Sequence, residues 1–405
     1  MPSPEAKATV TCAVPRNGRT LECFLASLAP LTGSSEQIAG ILDVLALTKK
    51  ASTNDFATAK AFLDQISEAS PHFSICIDKK RDGRPFRVGF LSATFMIDGV
   101  PLRLEGEDPH NCSGTMHLGE FDMAVVGFDE MLTTLHDNRY FNNLTSPKWG
   151  DFNSYLPPYV QPRIAGSAGL RRSSGRHGDA PLDFVGMFLI SRRKHDISVE
   201  GLEGEYPDAY LKSMARGRRV YVKDRYRPLA ALMYPRLDLV PVTNVEDAVL
   251  ACPEHQPGLE IVQSGSTVCS KDLVIHGNPV MVSETLYLVN YAKFLKDAEL
   301  RKVVEALKPI GYFDEQRVSG FAAWVTALEN KVGARWVRRP DIASMFCSQF
   351  DITRGVLRPY RLESRNWRPD DHREVQARIL VDDALKLLES SYLGARGLHR
   401  AADNP

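Results

Sequence analysis

The sequence has no CxxC pair, no HExxH, no paired histidine spacing, no excess of charge of one sign and no long apolar run. Each absence removes a class of function. The 7 cysteines (Cys12, Cys23, Cys76, Cys112, Cys252, Cys269, Cys347) are odd in number and scattered, which fits neither a disulfide framework nor a zinc cluster, so they read as reduced thiols. Without ligand spacing among the 10 histidines, no metal held by protein side chains is expected. Cys23, in GRTLECF, has no companion His and Asp pattern that would make it a nucleophile and belongs on a packed helix face. Lysine plus arginine balances aspartate plus glutamate, 50 against 50, so no global field favours nucleic acid and any anion site must be built locally. No stretch approaches the roughly 18 apolar residues of a membrane span. The start, MPSPEAKATVTCAVP, has neither the basic opening nor the apolar core of a secretion signal. A cytoplasmic protein with no membrane and no nucleic-acid partner is the expectation.

What is present is ordinary for a globular chain, 43% hydrophobic and 25% charged, and 405 residues exceed what one core serves. Residues 8–14 form a short apolar run, broken by Pro15, Asn17 and Gly18, after which Leu21, Phe24, Leu25 and Leu28 recur at helical spacing. Amphipathic helix continues over 35–72. FSICI and FRVGFLSATFMI read as strands separated by the turn KKRDGRP. FDMAVVG (121–127) is a buried strand ending in glycine, as at the carboxyl edge of a parallel sheet where open α/β folds bind ligands. From 146 to 180 proline, glycine, serine and arginine dominate, which predicts a loop or insertion; Arg171, Arg172, Arg176 and His177 there suit either closure over a polyphosphate or a plain surface insertion. Strands resume at 182–191, 218–223, 238–242, 259–263 and 281–289. The tail turns helical, with a last helix marked by Asp371 and Glu374 at capping-box spacing and Gly394 as a stop. The pattern predicts an α/β protein: a first domain of 1–180 and 281–305, a second of 181–280, and a helical extension of 306–405.

Two segments carry chemistry. In LEIVQSGSTV (259–268) a β-run delivers Glu260 and then a turn of small residues, Ser264, Gly265, Ser266 and Thr267, whose N–H groups and hydroxyls can converge on a phosphate. A carboxylate on the strand can then reach the hydroxyls of a ribose whose 5′-phosphate sits in the turn. Turns of this composition also follow strands where nothing binds. In VPRNGRTL (14–21), Arg16 and Arg19 flank Asn17 and Gly18 at a strand-to-helix turn, which suits pyrophosphate or is a solvated turn with surface arginines.

Taken in order, these segments resemble the ATP phosphoribosyltransferases of histidine biosynthesis. VPRNGRTL is similar to the family's basic-glycine-arginine turn, and FDMAVVGFDEML (121–132) to its aspartate-led strand. LDFVGMFLISRR (182–193) and GRRVYVKDRYRPLAALMY (217–234) resemble the strand entering the second domain and the strand and helix that follow. TNVEDAV (243–249) and 259–289 are similar to the serine-valine-glutamate turn and the phosphoribosyl pyrophosphate loop. The resemblance implies two periplasmic-binding-protein-like (type II) α/β domains with a cleft between them. It implies transfer of 5-phosphoribosyl from phosphoribosyl pyrophosphate to N1 of ATP, with Mg2+ carried on the departing pyrophosphate, and a homo-oligomer. By resemblance, Ser264, Gly265, Ser266 and Thr267 hold the 5′-phosphate and Glu260 the ribose hydroxyls. Arg16 and Arg19, with Asn17 and Gly18, hold pyrophosphate or ATP phosphates; Glu246 lies in the cleft, and Asp122 joins the substrate-binding set.

The chain departs from that pattern in places. Gln256 stands where the family has an acid, and LRLEGEDPHNCSG (102–114) offers Glu105, Glu107 and Asp108 where it has an arginine, as an exposed acidic turn or as groups that repel ATP unless magnesium intervenes. Regions 35–72 and 146–180 are longer than the family's. The tail lacks the β-α-β-β alternation of its histidine-sensing domain, so feedback by histidine is not expected. Such departures also suit relatives in nucleoside-antibiotic pathways of the coformycin and pentostatin type. Two further readings remain open: another purine nucleotide or heterocycle as acceptor, and a catalytically silent binding or regulatory relative.

Overall fold

The computed structural model describes residues 9–48, 53–66, 68–77, 85–136, 162–168, 184–192, 217–253, 256–309 and 315–332. The chain divides into two units: Met1–Met131, Pro147–Arg176 and Thr285–Ile310 in unit 1; Leu132–Ser146, His177–Glu284 and Gly311–Pro405 in unit 2.

In unit 1, strand β1 (Val10–Pro15) is followed by helix α1 (Arg19–Thr32), whose Leu21, Phe24, Leu25 and Leu28 are all buried, as their 3–4 spacing predicts. The amphipathic stretch that follows is two helices, α2 (Ser35–Thr48) and α3 (Phe56–Gln65), the second started by Asp55, which accepts from Thr58 N at 2.8 Å. β2 (Phe73–Ile77) and β3 (Phe86–Phe90) pair as a separate antiparallel ribbon. β4 (Ser92–Ile97) turns back through Asp98 and Gly99 into β5 (Val100–Glu107), so FRVGFLSATFMI is two strands and the expected acidic turn begins inside a third. Then come α4 (Pro109–Leu118), β6 (Met123–Gly127), α5 (Phe128–His136) and β7 (Pro162–Ser167), the last of these a strand inside the segment expected to be loop. Arg171, Arg172, Arg176 and His177 lie outside the described residues. The sheet order is β4-β5-β1-β6-β12-β7, where β12 (Leu273–Asn290) contributes its 285–290 end. β5, β1 and β6 are parallel, and β12 runs antiparallel to its neighbours β6 and β7. Two helices, α9 (Tyr291–Phe294) and α10 (Ala298–Leu307), close the unit.

Unit 2 contains β8 (Phe184–Arg192), β9 (Arg219–Lys223), α6 (Arg227–Met233), β10 (Asp238–Val242), α7 (Val245–Ala251), β11 (Gly258–Val262), the short α8 (Ser266–Ser270) and α11 (Glu315–Val332). Its sheet order is β10-β9-β11-β8-β12, with β10, β9 and β11 parallel and β8 antiparallel to both β11 and β12. Each unit thus repeats one scheme: second, first and third strands parallel, then an antiparallel strand, then a fourth. This is the type II α/β scheme expected from the resemblance.

The expectation for the tail needs correcting at its start. α11 is not a separate extension: Phe321, Trp324, Val325, Leu328 and Val332 enter the core of unit 2 with Phe184, Phe188, Val262 and Val268. Burial of that face, with Phe184 edge-on to Phe321 at 5.5 Å between ring centroids, fixes the helix. Asp371, Glu374 and Gly394 lie outside the described residues.

Candidate active site

The carboxyl ends of parallel strands are where α/β sheets present loops and helix starts, so the site residues are best placed by strand end. In unit 2 three such ends supply them. β9 ends at Lys223, with Arg225 just beyond; β10 leads to Asn244 and Glu246; β11 carries Glu260 and leads to Gln263 and Ser264.

Glu260 is buried, and Ile261 N donates to its Oε1 at 2.9 Å. Burial, reinforced by the charge of Glu246, pushes its carboxyl up to about 7, against the opposing pull of Lys223, the Ile261 N–H and Arg225. Glu246 sits in the first turn of α7, which Asn244 caps by accepting from Asp247 N at 3.0 Å. A salt bridge from Lys271 Nζ to Asp247 Oδ1 at 2.5 Å ties that helix to the end of the loop. The loop turns at Gly265, whose φ of +68° is left-handed. A Cβ there would lie 2.2 Å from Val332 Cγ2 and 3.0 Å from Leu328 Cδ1, so position 265 must be glycine for both backbone and space. Ser264 Oγ and Ser266 Oγ are 2.9 Å apart, and Thr267 is exposed beside them. Unit 2 therefore places Glu246 within electrostatic reach of Glu260, and Ser264, Gly265, Ser266 and Thr267 in one turn at the carboxyl end of the strand that carries Glu260. The arrangement can hold a phosphate by hydroxyl and backbone donors and offer a carboxylate to sugar hydroxyls.

Sequence reasoning missed four neighbours of these residues. Lys223 and Arg225 are the cations facing Glu260, and their signal was the basic run GRRVYVKDRYR. Trp324 Nε1 donates to Gln263 O at 2.7 Å and Lys331 Nζ to Ser266 Oγ at 2.8 Å, both from α11. The apolar spacing of Phe321, Trp324, Leu328 and Val332 announced a buried helix face, but not which loop it would meet.

In unit 1 the expected basic turn follows β1, again at a carboxyl end. Gly18 has φ +99° and precedes α1, whose first N–H groups have no side-chain cap among the described residues, and Arg19 begins it. Among the described residues neither Arg19 nor Asn17 has a side-chain partner. Arg16 differs: its Nε donates to Gly106 O at 2.8 Å, Nη1 lies 3.8 Å from Cys76 Sγ, and Nη2 is 4.0 Å from Glu107 Oε2. Its guanidinium lies across the end of β5. Burial raises the Glu107 carboxyl, opposed by Arg16 and helped by Glu120 and Glu105. Arg103 pairs with Glu105 at 2.9 Å. These acids line the end of a strand instead of an exposed turn. Asp122 also departs from the expectation. It precedes β6 at the opposite, amino edge of the sheet, where Oδ2 accepts from Thr11 N (2.9 Å) and Thr11 Oγ1 (3.1 Å) and Oδ1 accepts from Lys293 Nζ (2.6 Å). It is a fastening group of the fold, not a neighbour of Arg16 or Arg19.

Among the described residues no group of three or more His, Cys, Asp and Glu is gathered as for a metal, and no helix is long and apolar enough to cross a membrane.

A family model of halobacterial ATP phosphoribosyltransferase matches residues 6–138, about a third of the chain. No curated protein matches it. Among solved structures, the ATP phosphoribosyl transferase (HisG:HisZ) complex from Thermotoga maritima is similar at 13% identity over 74% of this chain and 96% of that one, TM-score 0.36. The alkanesulfonate-binding protein SsuA from Xanthomonas axonopodis pv. citri is similar at 9% identity over 85% and 90%, TM-score 0.33. Similarities of this size say nothing about ligand or activity.

Proposed function

We propose that the protein is a phosphoribosyltransferase that takes phosphoribosyl pyrophosphate as donor and ATP as acceptor. The observation that carries this reading is that in unit 2 the buried Glu260 stands on β11 and the 264–267 turn follows at the carboxyl end of that same strand. A ribose 5-phosphate needs a phosphate grip and a hydroxyl acceptor a short span apart. The match of a phosphoribosyltransferase family model over 6–138 supports it independently, because that stretch lies almost wholly in the other unit.

In this reading Ser264, Ser266, Thr267 and the backbone at Gly265 hold the 5′-phosphate, and ionised Glu260 accepts from the ribose hydroxyls. Lys223 and Arg225 temper the repulsion between Glu260 and Glu246. Arg19, with the N–H groups at the start of α1, takes pyrophosphate or ATP phosphate, and Mg2+ arrives as part of the donor. N1 of adenine attacks C1 of the ribose as its bond to pyrophosphate breaks. The protein contributes positioning and charge stabilisation, and no covalent nucleophile is needed.

Incubation of the full chain with donor, ATP and magnesium should release pyrophosphate and yield a product heavier than ATP by one phosphoribosyl group. A folded protein that yields neither contradicts the assignment. A second acceptor reading is favoured by one observation: Glu105 and Glu107 crowd the end of β5 beside Arg16, where an ATP polyphosphate would meet negative charge. Another purine nucleotide or heterocycle would then replace ATP; mass spectrometry of products from a purine panel separates the two.

A further inference from the structure

We propose that Lys331 is a ligand for the phosphate taken by the 264–266 turn, so that α11 completes the anion site from a segment some sixty residues further along the chain. The identity of the ligand rests on the phosphoribosyl reading; the presence of an anion site does not.

Lys331 Nζ donates to Ser266 Oγ at 2.8 Å, and Ser266 Oγ lies 2.9 Å from Ser264 Oγ. The three polar heads form a series beside a turn with left-handed backbone. An ammonium has three donors, and Ser266 engages one. Among the described residues no carboxylate forms an ion pair with Lys331, and its side chain is exposed, so its charge and remaining donors are free for a solvent-borne anion.

The position of the lysine is fixed on both sides. Trp324, seven residues before it on α11, donates to Gln263 O one residue before Ser264. Leu328 and Val332 flank it and occupy the space that a side chain at 265 would need. Spacing of 324, 328, 331 and 332 places all four on one side of the helix. A surface lysine chosen by chance would not be registered on the loop by a buried tryptophan and two aliphatic contacts. A mere structural tether is a weak alternative, since one exposed hydrogen bond to a hydroxyl contributes little to stability.

The test is calorimetric titration of the full chain with magnesium phosphoribosyl pyrophosphate and, separately, with inorganic phosphate. Wild type is compared with Lys331→Ala, Lys331→Gln and Lys331→Arg, each checked for an unchanged melting temperature. Alanine and glutamine should both weaken donor and phosphate binding by roughly 10- to 100-fold, the range of a charge-assisted hydrogen bond. Glutamine matters because it keeps a donor for Ser266 and removes the charge; arginine should restore most of the affinity. Donor affinity unchanged in the alanine variant overturns the role of Lys331 and leaves the phosphoribosyl reading standing. Lysine-dependent phosphate binding without donor binding supports the anion site and removes that reading. Wild-type protein that binds neither ligand overturns both.

Discussion

The turn at the end of β11 and the turn at the end of β1 look alike in sequence, each a short polar stretch with a glycine between a strand and a helix. Their surroundings differ. Around Gly265 a second element closes in: α11 fills the space at the glycine, grips the backbone before it through Trp324 and adds a cation through Lys331. Around Gly18 none of the described residues lies within 4 Å of where a Cβ would stand, and the first arginine of the turn is held by the neighbouring strand. A turn becomes a prepared site when other elements fix its atoms, and composition alone does not say which turn has that support.

Substitutions can break or sharpen this contrast. The largest effect is expected from Gly265→Asp. Left-handed backbone and a 2.2 Å clash with Val332 together cost roughly 2–5 kcal/mol and displace α11, so melting temperature and donor binding should fall together. For that reason this variant cannot by itself report on phosphate contact, and Ser264→Ala with Ser266→Ala is the cleaner probe.

Glu260→Gln should separate stability from function. The folded carboxyl sits at about 7, above the ordinary 4.5, so its stabilising contribution is complete below pH 4.5 and is lost as pH rises through about 7. At pH 8 the glutamine variant should be more stable than wild type by something on the order of 3 kcal/mol or less, while its donor KM rises tenfold or more. Wild-type donor affinity should climb as pH passes about 7, because the ionised form is the better acceptor of ribose hydroxyls. A flat pH profile would remove Glu260 from the sugar contact.

Asp122→Ala is expected to cost about 1–3 kcal/mol in chemical denaturation by removing the acceptor of Thr11 N and Thr11 Oγ1 and leaving Lys293 with Asp297 alone, with KM for donor and acceptor unchanged. Arg16→Ala should cost less, about 1–2 kcal/mol, through loss of the bond to Gly106 O. Arg19→Ala should change stability by under about 0.5 kcal/mol and act on substrate binding alone, as an increase in KM. If Arg16→Ala and Arg19→Ala instead behaved alike, the distinction drawn between them would fail.

Much of this was legible along the chain. Apolar spacing located α1 and its buried face, the glycine-ended FDMAVVG was a parallel strand, and LEIVQSGSTV was a strand followed by a tight turn at Gly265. What was not legible depended on contacts distant in sequence. Asp122 entered the site set by resemblance to an aspartate-led strand, but strand polarity puts it at the amino edge, where the pairing of β6 with β1 brings Thr11 to it and the pairing of β6 with β12 brings Lys293. The acids at 105 and 107 resembled an exposed turn because GEDP is turn-forming, whereas register with β1 extends β5 through Glu107. Lys331 was one charged residue near a helix end; its meaning came from the loop that α11 meets.

The central claim is that the 264–267 turn and Glu260 together grip a phosphoribosyl donor. Titration of magnesium phosphoribosyl pyrophosphate into the full chain, in wild type and in the Ser264→Ala, Ser266→Ala double variant, tests it most directly. The account requires wild-type binding and a loss of at least tenfold in the double variant at unchanged melting temperature. Equal affinity in the two proteins, or no binding by folded wild type, would contradict it.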